Sequence, residues 1–443
     1  MPVQLLILAL LFSIMIYLPF LPGSLPPQSP EATTAVLGFI LLASFFFGRL
    51  TAKMYLPLIT GYLIAGMLFG PYGLGIFRGD DVERLAMIDS LALSFIAMAA
   101  GGEMDRRQIM KRATRMLTIT GFQIVGVLVG ITVLFYLLLY YSLLNIAVTG
   151  PAIFYAAIIL GVIATANSPS AVVAIINESR AKGPVTETTL GVTVIKDIMV
   201  ILLFAFAVSW IRSDLEGGGG AAAGKVFYDI FIDLFLSILV GATLGFFVII
   251  YLKTLRGQML LFTIGVAVIS SELSSIFDLN ELLVCIMVGF IVRNFSEHGG
   301  HFIHAIEKGS MPVFVIFFTL AGAMLNLEAV KQMWLATALY FAVRILLTWF
   351  FTTTAARALG ESDKIRSYLW GGFVSQAGVS LGLAVVVKNQ FPDWGAAVSM
   401  LIVASVAVNQ LAGPIMFKFS LAACGEAESK DFDREKKEIQ PGK

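Results

Sequence analysis

Long apolar runs alternate with short polar loops along almost the whole of this 443-residue chain. Because a helix needs about 20 mostly apolar residues to cross a bilayer, the runs predict membrane-spanning helices. We predict fourteen, at residues 3–22, 34–52, 56–74, 84–102, 116–143, 151–177, 185–211, 226–252, 258–276, 280–294, 311–329, 333–356, 366–388 and 395–420. The first run lacks a basic leading segment and a clear cleavage site, which favours a retained helix over a signal peptide. The predicted fold class is therefore an all-α polytopic membrane protein.

Composition excludes most other classes of protein. Apolar residues make up 58% of the chain and charged residues 13%, against about 25% charged residues in a soluble domain. With a mean hydropathy of +0.88, the chain is not expected to be a soluble enzyme, a disordered chain or a nucleic-acid-binding protein. The expected partner is the lipid bilayer. Cys285 and Cys424 lie far apart in the sequence, so no disulfide framework is expected.

The positions of Lys and Arg predict which loops face the cytoplasm. If the basic loop at 105–115 is placed there, the loops on its side carry sixteen Lys and Arg residues and the opposite loops carry six. This arrangement places both termini in the cytoplasm and favours a bacterial-type cytoplasmic (inner) membrane.

A stretch rich in glycine and alanine at 217–224 suggests how the chain is divided. Six predicted spans lie between the first helix and this stretch, and six more follow a linker helix. The two blocks begin on opposite sides of the membrane, which is the layout of inverted-repeat transporters. The predicted organisation is an N-terminal helix and outer loop (1–30), a first inverted repeat (31–212), an outer loop with a linker helix (213–257), a second inverted repeat (258–420) and a cytoplasmic tail (421–443).

Two predicted spans, at corresponding positions of the two repeats, are interrupted by polar residues, proline or glycine. The first contains Thr165, Asn167, Ser168 and Pro169, and the second contains Ser375, Gln376, Gly378 and Ser380. Unwound backbone at membrane depth is tolerated only where protein encloses it or where it lines a cavity. Two broken, crossing helices predict a transport site. The alternative is a proline-kinked structural helix and a small-residue packing face.

Lys196 and Asp197 are charged residues in the middle of a predicted span, with Asp197 roughly 18 Å from its inner end at 1.5 Å per residue. A charge at this depth costs at least about 2.5 kcal/mol, which indicates a functional residue. The alternative is a structural Lys–Asp ion pair between two helices. Two roles stay open for Lys196, namely participation in the ion site and service as a structural counter-charge.

Other charged or titratable residues give weaker signals. Arg344 lies within a span, where we expect it to donate to carbonyls freed by the broken helices or to an acid. Glu103 ends a span at the cytoplasmic side, as a solvated helix end or as an acid of a cytoplasmic funnel. His298, His301 and His304 share one inner loop, which is either an ordinary solvated loop or a sensor of cytoplasmic protons. A metal site would need further ligands, so neither a metal nor a cofactor is predicted.

Three segments resemble the monovalent cation:proton antiporter superfamily, in particular its second branch, which contains sodium/proton antiporters and glutathione-gated potassium efflux systems. The segment Pro57–Pro71 resembles the family pattern Pro-x-x-x-Gly-Tyr-Leu-x-Ala-Gly-x-x-x-Gly-Pro. The segment Ala100–Asp105 resembles a Gly-Leu-Glu-x-Asp helix end, with Gly102 in place of Leu. The break at Thr165–Ser170, followed by Asp197, resembles the unwound helix and its ion-binding aspartate.

The resemblance implies a homodimer with a mobile core that moves like an elevator, and an Asp197 that binds cation and proton in competition. Three departures from the family pattern stand out. Lys196 replaces the usual Asp, Asn or Gln before the aspartate. Some relatives carry a lysine on the helix that matches Met311–Asn326, which here contains none. Gln376 stands near the place of an arginine found in the first branch. A gated efflux mode with a nucleotide-binding regulatory domain is not expected.

The function that we predict is exchange of Na⁺ or Li⁺, with K⁺ as a further candidate, for H⁺, with Asp197, Thr165, Asn167 and Ser168 supplying the oxygen ligands that a hard cation prefers. The alternative is a proton-uncoupled cation uniporter or channel on the same scaffold, in which Lys196 replaces the mobile cation. An intramembrane enzyme is not expected, because no histidine lies in any predicted span and only one acid lies deep.

Overall fold

The computed structural model describes residues 8, 10–14, 17 and 30–427, except 55, 145, 147, 216–220, 255–258, 278, 298, 326 and 377. Every regular element in these residues is helical. From residue 30 onward the α-helices are α1 (Pro30–Phe39), α2 (Phe45–Ala52), α3 (Leu58–Phe69), α4 (Gly79–Arg84), α5 (Ala86–Glu103), α6 (Arg106–Tyr140), α7 (Ala152–Ala164), α8 (Pro169–Ser179), α9 (Pro184–Leu215), α10 (Ala221–Thr254), α11 (Met259–Ile276), α12 (Glu281–Phe295), α13 (Gly299–Ala323), α14 (Leu327–Gln332), α15 (Trp334–Ala358), α16 (Asp363–Tyr368), α17 (Gly378–Gln390) and α18 (Gly395–Cys424). A π-helical turn, Ile40–Ser44, joins α1 to α2, and a 3₁₀ helix, Leu369–Phe373, follows α16.

Eight spans of the described chain are long and apolar enough to cross a membrane, or nine if a bent pair within α13 is counted as one span. The prediction of an all-α polytopic membrane protein is confirmed. The count of fourteen spans stays a prediction, because α3, α12 and α17 are shorter than this criterion requires. Most of the predicted first span, residues 217–220 of the glycine-rich stretch and residues 428–443 lie outside the described residues.

Glycine lets two pairs of helices approach closely. In the contact between α3 and α13, a Cβ atom placed on Gly66 or Gly322 would lie 1.9 or 2.1 Å from a backbone oxygen of the facing helix. In the contact between α5 and α12, a Cβ atom on Gly101 or Gly289 would meet the facing backbone at 1.9 or 2.1 Å. Small residues at membrane helix contacts allow such packing. These four helices therefore form a tightly packed unit.

An apolar cluster joins α6, α7, α9, α15, α17 and α18, with Phe135, Leu160 and Leu401 among its buried members. It contains α7 and α17, one half of each interrupted span. Between α3 of the glycine-packed unit and α18 of this cluster lies an apolar groove of about 600 Å³, lined by residues such as Ile64, Leu68, Leu411 and Ile415.

One predicted loop is a helix. Residues 299–310, which we expected to be an inner loop, form the first part of α13, and the helix bends by 48° before Met311. Phe302, Ile303 and Ile306 are buried at helical spacing, so one apolar face holds this segment against the protein. Pro312 removes a backbone hydrogen bond next to the bend.

Candidate ion-binding site

The first helix break comprises residues 165–168. Helix α7 ends at Ala164, and Pro169 occupies the first turn of α8, where its missing N–H would be unpaired in any case. Ser168 caps α8 by accepting a hydrogen bond from the Ala171 amide (3.1 Å), and Thr165 Oγ1 donates to the Val162 carbonyl (2.7 Å). The span that contains this break is the most enclosed of the candidate spans in the described chain. In its most apolar 18-residue stretch 94% of the residues are buried, against 28–61% in the other candidate spans. The unwound backbone is therefore enclosed by protein, as its depth requires.

The second break lies between the 3₁₀ helix and α17, and it touches the first. The Ser168 amide donates to the Ser375 carbonyl (2.9 Å), and Gln376 Nε2 donates to the Ile163 carbonyl near the end of α7 (2.8 Å). Gly378 begins α17, and Ser380 lies in its first turn with a buried hydroxyl that has no partner among the described residues. The two interrupted helices therefore meet at their breaks.

Arg344 of α15 links the two breaks and is 1% exposed. Its guanidinium donates to four backbone carbonyls and one side-chain amide: Ala164 O (2.8 Å), Ala166 O (2.8 Å), Val374 O (2.7 Å), Phe373 O (3.3 Å) and Asn409 Oδ1 (2.9 Å). Of the two partners that the sequence left open, carbonyls and an acid, the structure places the carbonyls beside Arg344.

The buried charge of Arg344 lies against a helix end. The C-terminus of an α-helix carries a partial charge of about −0.5, so the end of α7 offsets part of the arginine charge, and the carbonyls of Phe373 and Val374 at the end of the 3₁₀ helix are further acceptors. Asn409 of α18 completes the arrangement, because its Nδ2 donates to Gln376 Oε1 (3.0 Å) and to the Ser405 carbonyl (2.7 Å). Arg344 and Asn409 thereby fasten both breaks to α15 and α18.

Lys196 of α9 is buried (2% exposed) and points at the first break. Its Nζ donates to Asn167 Oδ1 (2.6 Å) and to Gln123 Oε1 of α6 (2.8 Å), and it lies 5.7 Å from the centroid of the Phe373 ring. Within the described part of the chain it makes no ion pair with Asp197 or with any other carboxylate. The lysine charge is therefore met by neutral amide oxygens and an aromatic face.

Asp197 follows on the same helix and is 5% exposed. Its Oδ1 is buried and has no hydrogen-bond partner among the described residues. Helix α9 packs against α7, α8 and the 3₁₀ helix, so Asp197 lies on an element that touches both interrupted spans. Buried acceptors without a partner are rare and indicate a group that a ligand can use.

Two site residues were not anticipated from the sequence, Gln123 and Asn409. Both are fully buried amides inside apolar helices. A buried uncharged amide is costly in an apolar environment unless it is hydrogen-bonded, just as a buried charge is. An amide in the middle of a long apolar run was the signal that could have found them.

The residues that we predicted on the cytoplasmic side are not among the contacts described above. Glu103 is the last residue of α5, and its side chain is not among those described; His298 lies outside the described residues. His301 and His304 lie on the first part of α13 with exposed side chains. No group of three or more His, Cys, Asp or Glu residues in the described ranges has the geometry to hold a metal ion.

The chain matches, over residues 37–421, the family model described as "Sodium/hydrogen exchanger, transmembrane". The chain belongs to this family. The chain is 24% identical over 409 residues to the Na(+)/H(+)-K(+) antiporter GerN of Bacillus cereus, and the match covers 88% of this chain and 97% of GerN. It is also 24% identical over 402 residues to the probable Na(+)/H(+) antiporter 3 of Methanocaldococcus jannaschii, covering 89% and 98%.

The fold of this exchanger family member is similar to that of the sodium proton antiporter MjNhaP1 from Methanocaldococcus jannaschii. The TM-score is 0.71 at 15% identity, with 91% of this chain and all of the other covered. The prediction of the cation:proton antiporter superfamily is confirmed, and the protein is a membrane transporter and not an enzyme. Its relation to the glutathione-gated potassium efflux systems stays a prediction.

Proposed function

We propose that the protein exchanges a monovalent cation for H⁺ across the membrane and that the two ions compete for Asp197. The observation that carries this proposal is the buried Asp197 carboxylate, whose Oδ1 has no partner among the described residues. A carboxylate can hold either a proton or a cation at one oxygen, so loading of one excludes the other. Membership of the sodium/hydrogen exchanger family supports the same exchange.

The transported cation is Na⁺ or Li⁺ in this proposal, with K⁺ as a further candidate. Hard cations prefer carboxylate, carbonyl and hydroxyl oxygens. The first break offers hydroxyl, amide and backbone oxygens at Thr165, Asn167 and Ser168, in the segment next to α9. The name of GerN includes both Na⁺ and K⁺, which supports testing both ions.

Alternating access is proposed to occur by an elevator-like movement of the helices that form the two breaks against the glycine-packed unit. The close glycine contacts of α3 with α13 and of α5 with α12 favour one rigid body. The apolar groove between α3 and α18 lies on the proposed boundary between the two bodies. Inverted repeats at 31–212 and 258–420, a homodimer, cytoplasmic termini and an inner-membrane location belong to the same proposal.

A second candidate function is a proton-uncoupled uniporter or channel. It is favoured by the contact of Lys196 Nζ with two amide oxygens (2.6 and 2.8 Å), because a tethered ammonium occupies ligands that a mobile cation would use. Absence of proton movement during cation flux would identify this function.

The decisive experiment uses purified protein in liposomes that contain a pH-sensitive dye, challenged with Na⁺, Li⁺, K⁺ and Rb⁺ in turn. We expect cation-driven proton movement in the wild type and none in Asp197→Asn. Asp393→Asn is the matched control, because Asp393 is exposed before α18 and should keep normal activity. Near-normal exchange in Asp197→Asn would refute the assigned site.

A further inference from the structure

Gln123 lies at the middle of α6 and is fully buried, and no motif or comparison assigns it a role. Its Oε1 accepts a hydrogen bond from Lys196 Nζ (2.8 Å), and the other amide acceptor of Lys196 is Asn167 of the first helix break (2.6 Å).

A hydrogen-bond chain fixes the orientation of the Gln123 amide. Thr352 Oγ1 donates its single proton to the Thr348 carbonyl (2.5 Å), so it must accept from Gln123 Nε2 (2.6 Å). Since a hydroxyl has only one proton to give, the amide nitrogen of Gln123 points at α15 and the amide oxygen points at Lys196. Through Thr352, helix α15 therefore orients the Gln123 oxygen that accepts a hydrogen bond from the Lys196 ammonium.

The two amides that hold Lys196 are not equivalent. Asn167 lies in unwound backbone, and its Nδ2 has no partner among the described residues. Gln123 lies within a continuous helix and is anchored at both ends of its amide. The fixed partner of Lys196 is therefore Gln123.

We propose that Gln123 is a positioning residue that holds the Lys196 ammonium away from Asp197, so that the carboxylate remains available to the transported cation. This inference rests on the proposed exchange at Asp197. Without the Gln123 oxygen, Lys196 keeps only the Asn167 acceptor, and the carboxylate of Asp197, the next residue of α9, becomes the competing acceptor in this proposal. In a site of low dielectric, a Lys196–Asp197 pair would compete directly with the cation.

The test is the KM for Na⁺ at constant pH in liposomes, measured for Gln123→Leu, Lys196→Met and the double variant. We expect Gln123→Leu to raise the KM by about tenfold, as for loss of one hydrogen bond to a charged group, with a smaller effect on kcat. The double variant should return the KM to that of Lys196→Met, because the competing ammonium is gone. A merely structural loss at Gln123 would not be reversed by removing Lys196.

Gln410→Leu is the matched control. Gln410 is a buried amide on α18 with no described partner at Oε1, so the same substitution there should leave the KM unchanged. An unchanged KM in Gln123→Leu, or a double variant as impaired as Gln123→Leu, would overturn the inference.

Binding of Na⁺ is measured independently as stabilisation against thermal unfolding, since a ligand that binds the native state raises the unfolding temperature. If the wild type shows neither transport of Na⁺, Li⁺ or K⁺ nor stabilisation by any of them, the proposed function fails and the inference fails with it. If the wild type and Gln123→Leu respond equally to Na⁺, the inference alone fails.

Discussion

Replacement of Arg344 by Met should strongly destabilise the protein. The substitution removes the guanidinium that donates to four backbone carbonyls at the two helix breaks, at distances of 2.7 to 3.3 Å. A buried polar group that loses its partner costs about 1–3 kcal/mol, so four carbonyls predict a loss of about 4 kcal/mol or more. This is a large share of the roughly 5–15 kcal/mol that stabilises a typical native protein.

Arg344→Lys should fall between wild type and Met. Lysine keeps the charge that lies against the end of α7, but its donors radiate from one nitrogen and cannot reach carbonyls on both breaks as a planar guanidinium does. We expect a loss of about 2 kcal/mol, corresponding to roughly half of the carbonyls left unpaired.

The measurement is the free energy of unfolding in mixed micelles of increasing SDS content, followed by the fluorescence of the five tryptophans. Arg357→Met is the matched control, because Arg357 is exposed in the last turn of the same helix. Exposed substitutions change stability by about 0.5 kcal/mol or less. A loss in Arg344→Met no larger than in Arg357→Met would refute the inference that the arginine satisfies the freed carbonyls.

Three further outcomes are expected. Glu426→Gln should lower the free energy of unfolding by about 1 kcal/mol, because the Glu426 carboxylate accepts from the amides of Val185 (2.6 Å) and Thr186 (2.7 Å) at the start of α9; a value no different from that of the exposed Glu297→Gln would contradict this capping role. Exchange should be electroneutral, one cation for one proton, because Asp197 is the one carboxylate that we assign to the site; a dependence of Na⁺/H⁺ exchange on a membrane potential clamped with valinomycin and K⁺ would disprove it. Changing all three histidines, 298, 301 and 304, to Gln should leave the pH midpoint of transport unchanged, and a clear shift would instead identify them as proton sensors.

The spans and breaks could be predicted because each has a local cause. An apolar run reports burial in lipid directly, and the Asn-Ser-Pro sequence at 167–169 favours a helix break, because proline removes a backbone hydrogen bond and Asn and Ser compete for backbone groups. The first part of α13, residues 299–310, was not predicted as a helix. Its charged residues and histidines alternate with the apolar residues that pack against the protein, so no long apolar run marks it in the sequence.

The partners within the site could not be predicted, because they come from distant parts of the chain. Arg344 binds main-chain oxygens, which every residue carries and which no side-chain pattern marks. Gln123 and Lys196 are separated by 73 positions, and nothing local in either helix indicates that they meet. Sequence identified Lys196, Asp197 and Arg344 as groups that need a partner, but it did not identify the amides Gln123 and Asn409, which the tertiary fold brings to Lys196 and Arg344.

The bonds of Arg344 also bear on how this protein can diverge during evolution. Four of its five acceptors are main-chain carbonyls, so the side chains at those four positions are not constrained by the arginine itself. Selection would act on Arg344 and on its one side-chain acceptor, Asn409, whose substitutions are expected to be linked. Such a junction can persist while most of the surrounding sequence drifts, which fits a fold shared with relatives at 24% identity.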